Sequence, residues 1–192
     1  YFYKSLGSAV TVIDLETRIL TSLDEEISNL AQKEFEKQGI KFIFNSRVGH
    51  FKKIGNIIDV EIIGNNSRDV IKVNKILSAV GVTANTECLN LEKCNVTLSD
   101  GRIDVDKFCR TTADNIFAIG DMVRGPWLAH KASHEGMIVA EKIAGKSPHP
   151  LNLGLIPSCI YSKPQIASIG ITEVQAKEHI KEILVGRFPY SA

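Results

Sequence analysis

Thr111-Thr112-Ala113-Asp114-Asn115-Ile116-Phe117-Ala118-Ile119-Gly120-Asp121 is the stretch whose reading decides the fold. Ala-Asp-Asn is a turn sequence, and the apolar run after it reads as a short strand that stops at a glycine followed by an acid. Such a strand places a carboxylate at its carboxyl end, and the glycine has no side chain to block a ligand. That end is where open α/β sheets bind. Beyond it, Leu128-Ala129-His130-Lys131-Ala132-Ser133-His134-Glu135-Gly136 opens a helix. The first N–H groups of a helix have no internal partner and can face an anion or an electron-rich ring.

Working outward toward the N-terminus, the chain has the rhythm of a doubly wound nucleotide domain. Tyr1-Phe2-Tyr3-Lys4-Ser5-Leu6 reads as a helical turn closed by Gly7. Ala9 to Asp14 is a continuous apolar run of the buried parallel kind. Ser22-Leu23-Asp24-Glu25 looks like a capping box, opening a helix with Ile27, Leu30, Ala31 and Phe35 on one face and Gly39 as its stop. Ile40 to Phe44 begins the next strand. Runs at 47–54, 56–63 and 69–73, split by Gly55-Asn56 and Gly64-Asn65-Asn66-Ser67, read as an antiparallel meander. Lys75 to Val80 then reads as an apolar strand ending at Gly81.

Past Gly81 a short helix is expected near 89–93, a turn at Ser99-Asp100-Gly101 and a strand over 102–105. A helix from Ala129 to Ala144 stops at Gly145, and Lys146-Ser147-Pro148-His149-Pro150 marks a boundary. Strands are expected at 156–161, 165–170 and 183–188, with a helix starting from Thr172-Glu173. The fold class is therefore α/β: a partial doubly wound dinucleotide-binding domain with an antiparallel meander over 1–84, a central domain over 85–150, and the start of an α+β domain over 151–192.

Composition narrows the function classes. The 192 residues carry a net charge of +1, with 44% hydrophobic and 23% charged residues, as in ordinary globular proteins. Near-neutrality and the lack of a basic run argue against a nucleic-acid partner that relies on phosphate neutralisation. Apolar runs such as Val10-Thr11-Val12-Ile13 are strand-sized, so no membrane span is expected. Cys88, Cys94, Cys109 and Cys159 show no CxxC and read as reduced, mostly buried thiols. His50, His134, His149 and His179 lack metal-ligand spacing, and neither a metal site nor a catalytic nucleophile or base is read from the chain.

Asp14 ends a strand of the nucleotide domain. An acid there accepts hydrogen bonds from adenosine ribose hydroxyls and repels a 2′-phosphate, which favours NAD over NADP.

The Gly120-Asp121 strand end and the helix start after it resemble the second flavin-binding motif of the pyridine nucleotide-disulfide oxidoreductases. The Ala129-His130-Lys131-Ala132…Glu135-Gly136 run is most similar to the branch of that family acting on lipoamide. Ile156 to Gly170, continuing to Gly186-Arg187-Phe188-Pro189-Tyr190, resembles the start of its dimerisation domain.

The resemblance implies FAD and NAD as cofactors. Gly120, Asp121, Trp127, Leu128, Ala129 and His130 would contact FAD, Asp121 through a ribityl hydroxyl. Asp14, Val48 and Gly81 would contact NAD. His130 is expected to serve through packing and backbone rather than as an acid or base. The family usually has Arg or Lys, Pro and Asn soon after the glycine at Gly81; here only Asn85 remains. The implied activity is oxidation of protein-bound dihydrolipoamide through a redox disulfide and FAD, with hydride passed to NAD. The implied partner is the dihydrolipoamide-bearing subunit of 2-oxoacid dehydrogenase complexes, in the bacterial cytoplasm or mitochondrial matrix, with the whole protein a homodimer. The chain reads as a fragment lacking the N-terminal glycine-rich loop, the paired redox cysteines and the C-terminal acid-base segment, inactive by itself. Mercuric reductase, soluble transhydrogenase and a non-catalytic binding or dimerisation module are the alternatives.

Overall fold

Apolar runs without alternation favour buried parallel strands, and the first two pair in this way in the computed structural model, which describes residues 1–190. β1 (Val10–Ile13) runs parallel to β2 (Ile40–Ile43), with Val10 opposite Ile40 and Val12 opposite Phe42. A single helical turn, α1 (Phe2–Ser5), precedes β1, and α2 (Glu25–Lys37) crosses over between the strands. The predicted meander is present: β3 (Ser46–Ile54), β4 (Ile57–Gly64) and β5 (Arg68–Val73) form one antiparallel sheet in that order. A register shift between Val48 and Phe51 bulges β3.

The chain divides into two compact units, Tyr1–Ser78 with Cys159–Ala192, and Ala79–Ser158. The core of the first gathers Ile19, Leu23, Ala31, Phe35, Ile40 and Ile166. Ile166 lies on β9 (Ile166–Ser168), which pairs with β8 (Ser158–Ile160). This brings the late segment against β1 and α2, and α4 (Glu173–His179) follows it. The second unit packs Val96, Ile103, Ala118 and Val123 together. Its elements are the short β6 (Leu98–Ser99) and β7 (Arg102–Ile103), a 3-10 turn over Gly120–Met122, and α3 (Ala129–Ile143). Burying a side chain such as Val123 stabilises by roughly 1.5–3 kcal/mol.

Several expectations need correction. Lys75 to Val80 is not a strand: it is exposed and pairs with no strand among the described residues. Residues 183–188 likewise lie outside any strand. An apolar run becomes a strand only where a neighbour completes its hydrogen bonds. The 102–105 strand shortens to β7, and the 89–93 helix is a 3-10 turn over Leu91–Cys94.

The N-cap of α2 is Asp24 and makes no side-chain cap bond. Its Oδ1 instead accepts the Glu173 N–H at 2.7 Å, at the first turn of α4. The buried face of α2 is Ser28, Ala31 and Phe35, while Ile27 and Leu30 are exposed beside a groove of about 500 Å³ that Cys159 and Ile160 also line. Ser28 hydrogen-bonds the Ile19 carbonyl, which draws that face inward. Of the four thiols only Cys109 is buried; Cys88, Cys94 and Cys159 are exposed.

Candidate functional site

The Thr111–Asp121 stretch closes on itself before it reaches the glycine. The Thr111 N–H and Oγ1 both donate to the Ile116 carbonyl at 3.0 Å, and Asn115 sits at φ +61° to make the turn. The Ala118 N–H donates to the Cys109 carbonyl at 3.0 Å. The expected strand reduces to one antiparallel bridge, Arg110 with Phe117, because the hairpin is too short for a ladder.

Gly120 then turns at φ +77°, in the left-handed region that favours glycine. A Cβ there would lie 3.4 Å from the Ala132 Cβ on α3. Both polar groups of Gly120 are satisfied by that helix. Its N–H donates to Glu135 Oε2 at 2.7 Å, and its carbonyl accepts from Lys131 Nζ at 2.9 Å. Lys131 Nζ and Glu135 Oε1 are 3.0 Å apart, and Lys131 has no exposed surface. Sequence reasoning used these two residues only as marks of resemblance.

Asp121 is exposed, and among the described residues its carboxylate makes no hydrogen bond. The start of α3 is also open. Leu128 is the N-cap, no side chain caps the helix and no acid stands in its first turn. The Ala132 N–H makes the first internal bond, to the Leu128 carbonyl at 3.2 Å. The site therefore offers a carboxylate that accepts from hydroxyls and backbone N–H donors at the positive end of a dipole. Trp127 Nε1 is buried and has no partner among the described residues, with the Arg102 guanidinium 5.8 Å from the ring centre. His130 Nε2 lies 2.8 Å from the Pro157 carbonyl oxygen, so a proton on Nε2 ties the start of α3 to residue 157. Beside this site, burial pushes the Cys109 thiol up to about 11, and the Glu135 carboxylate adds to the shift.

In the first unit, Asp14 is half-buried at the carboxyl end of β1. Its N–H donates to Ile43 and its carbonyl accepts from Ser46, both at 3.0 Å. Its Oδ1 accepts the Glu16 N–H at 3.1 Å. Val48 lies on β3, which Ser46 opens, and is 38% exposed opposite Ile62. Gly81 belongs to the second unit and is exposed, with open space where a Cβ would stand.

Residues 1–136 match the family described as pyridine nucleotide-disulphide oxidoreductase, and residues 156–192 match its dimerisation domain. The chain belongs to the pyridine nucleotide-disulphide oxidoreductases. It is 39% identical to a dihydrolipoyl dehydrogenase of Rhizobium etli over all of this chain and 40% of that protein. It is 40% identical to one of Thermus scotoductus over 99% of this chain and 41% of that protein. The chain thus spans about 40% of the length of the curated relatives it matches. The crystal structure of LpdA from Mycobacterium tuberculosis superposes with a TM-score of 0.83 at 25% identity, covering 92% of this chain and 38% of that one. The flavoprotein disulfide reductase RclA of Escherichia coli gives 0.82 at 25% identity, covering 93% and 40%. The mixed α/β fold and the cofactor pair of the family, FAD and NAD, agree with the reading of the sequence. No helix among the described residues is long and apolar enough to cross a membrane.

Proposed function

We propose that this chain is the cofactor-gripping part of a flavoprotein that oxidises protein-bound dihydrolipoamide, with NAD as the hydride acceptor. The observation that carries the reading is the exposed Asp121 carboxylate beside the uncapped start of α3, on a turn held by buried side chains. The identity of 38–40% to several dihydrolipoyl dehydrogenases supports the choice of substrate.

The residues fit FAD by the chemistry of their donors and acceptors. Asp121 would accept a ribityl hydroxyl. Trp127, Leu128, Ala129 and His130 would form the floor under the ring, where the α3 N–H groups stabilise negative charge as an oxyanion site does. The Trp127 Nε1, unpartnered among the described residues, suits an adjacent ligand. FAD, when bound, supplies the electron relay between a thiol pair and the nicotinamide. Asp14 would hold the NAD ribose with Val48 near that cofactor, and Gly81 is proposed as an NAD contact from the family resemblance alone. No cysteine of this chain is assigned to the redox pair.

In this reading 1–84 serve NAD, 85–150 contact FAD and 151–192 begin the homodimer interface. The partner is the lipoyl-bearing subunit of a 2-oxoacid dehydrogenase complex, in the bacterial cytoplasm or the mitochondrial matrix.

The test is Asp121→Asn in the flavin-loaded protein. Asparagine keeps an acceptor oxygen but loses the charge, and hydrogen bonds to charged acceptors exceed neutral ones by about 1–1.5 kcal/mol, so the FAD dissociation constant should rise about 5- to 13-fold. Unchanged FAD affinity would overturn the flavin assignment. Reduction of NAD by dihydrolipoamide, without oxidation of NADPH by glutathione disulfide, checks the substrate.

A further inference from the structure

Lys131 and Glu135 stand one turn apart on α3, 0% and 4% exposed. A buried ion pair is a weak source of stability, because desolvation offsets the attraction and apolar side chains of similar volume serve as well. What apolar side chains could not do is hold Gly120. The Gly120 N–H meets Glu135 Oε2, the Gly120 carbonyl meets Lys131 Nζ, and the two side chains meet each other, closing a ring. The loop after Gly120 also folds around the lysine stem. A Cβ at Gly125 would lie 2.9 Å from Lys131 Cε, and Val123 between them is 1% exposed. Lys131 is thus the post on which the segment from the turn to the helix is wound.

We infer that the Lys131–Glu135 pair is the positioning device of the flavin site: it locks the Gly120 peptide to α3, so that the Asp121 carboxylate and the α3 N-terminus are presented to one ligand as a rigid pair. The inference rests on the assignment of Asp121 to FAD and adds residues that touch the backbone, not the cofactor. Affinity gained this way comes from preorganisation, since nothing has to be ordered when the ligand arrives.

The experiment compares Lys131→Met/Glu135→Leu with Lys131→Met/Glu135→Gln in the flavin-loaded protein. It reads the FAD dissociation constant, the flavin midpoint potential at saturating FAD, and apoprotein melting. Both pairs are uncharged, but only the glutamine keeps an acceptor for the Gly120 N–H. The expected result is a 10- to 100-fold loss of FAD affinity and a shifted potential in the leucine variant. The glutamine variant should recover about tenfold of that loss. A purely structural pair would instead change melting while leaving the potential where it was. Wild-type affinity and potential in the leucine variant, or no difference between the two variants, would overturn the inference.

Hydrogen exchange on the wild-type apoprotein supplies an arm independent of any variant. The Gly120 amide should be protected before FAD is added, and fast exchange there would refute preorganisation. If Asp121→Asn weakens FAD while the paired variants do not, only this inference fails. If Asp121→Asn is also silent, the flavin assignment fails with it.

Discussion

Replacing Gly125 by alanine tests whether the buried lysine is as rigid as its contacts imply. On a surface, Lys131 Cε at 2.9 Å from the new methyl would swing away at little cost. Here the lysine is fully buried, and its Nζ is held by both Gly120 and Glu135. Leu153 Cδ2, 3.3 Å from the same methyl, closes the other side. Overpacking a tight site costs roughly 1–3 kcal/mol. Backbone strain adds about 1–3 kcal/mol, since φ at Gly125 is +115°, outside the left-handed basin. Loss of glycine freedom in the unfolded chain returns about 0.4–1 kcal/mol.

The variant should therefore be destabilised by about 1–5.6 kcal/mol. Gly81→Ala is the control, because its φ of +113° matches that of Gly125 while nothing among the described residues lies within 4 Å of its Cβ, so it carries the strain alone. In a protein of this size about 1 kcal/mol moves the melting temperature by roughly 2–4 °C. Gly125→Ala should melt at least about 2 °C below Gly81→Ala, in thermal unfolding followed by circular dichroism. Equal melting would mean that Lys131 moves aside, and the rigid post would be refuted.

Asp14→Arg should raise the preference for NADP over NAD in relative kcat/KM by about tenfold, or ~1.4 kcal/mol; unchanged selectivity would remove Asp14 from the ribose site. At pH 8, a thiol reagent should titrate Cys88, Cys94 and Cys159 quickly and Cys109 only on unfolding, since Cys109 is buried and its thiol is pushed up to about 11. The same shift has a sign for stability. Between the ordinary value of 9.0 and about 11 the unfolded chain loses the Cys109 proton first, so stability falls as pH rises through that window. Cys109→Ala should flatten that fall in urea unfolding measured from pH 8 to 11. Thr172→Ala removes a capping box in which Thr172 Oγ1 accepts from Gln175 and Gln175 accepts from Thr172. It should cost about 0.5–2 kcal/mol, seen as faster amide exchange confined to α4; protection unchanged in α4 would contradict the cap.

What could be read from the sequence was local, and what escaped it was not. The expected bounds of the helix after Leu128 differ from α3 by one residue, because Gly145 and the helical period lie within the segment itself. The meander was legible from its turns for the same reason. Lys75 to Val80 and residues 183–188 have strand composition, but their state depends on partners elsewhere in the chain. Asp24 has the composition of a local cap, yet its carboxylate is drawn to the Glu173 N–H, 149 residues away.

The clamp was the instructive miss. In the sequence Lys131 and Glu135 served only as marks of resemblance, and an i,i+4 pair of this kind on a solvated face is worth a few tenths of a kcal/mol. A finer signal was present. Lys131, Glu135 and Ile138 follow the spacing of one helix stripe, and it is the stripe that α3 buries. A lysine and a glutamate at core positions require something nearby that needs both a donor and an acceptor. A glycine peptide, with no side chain to keep them away, answers that description, and Gly120 is the one they hold.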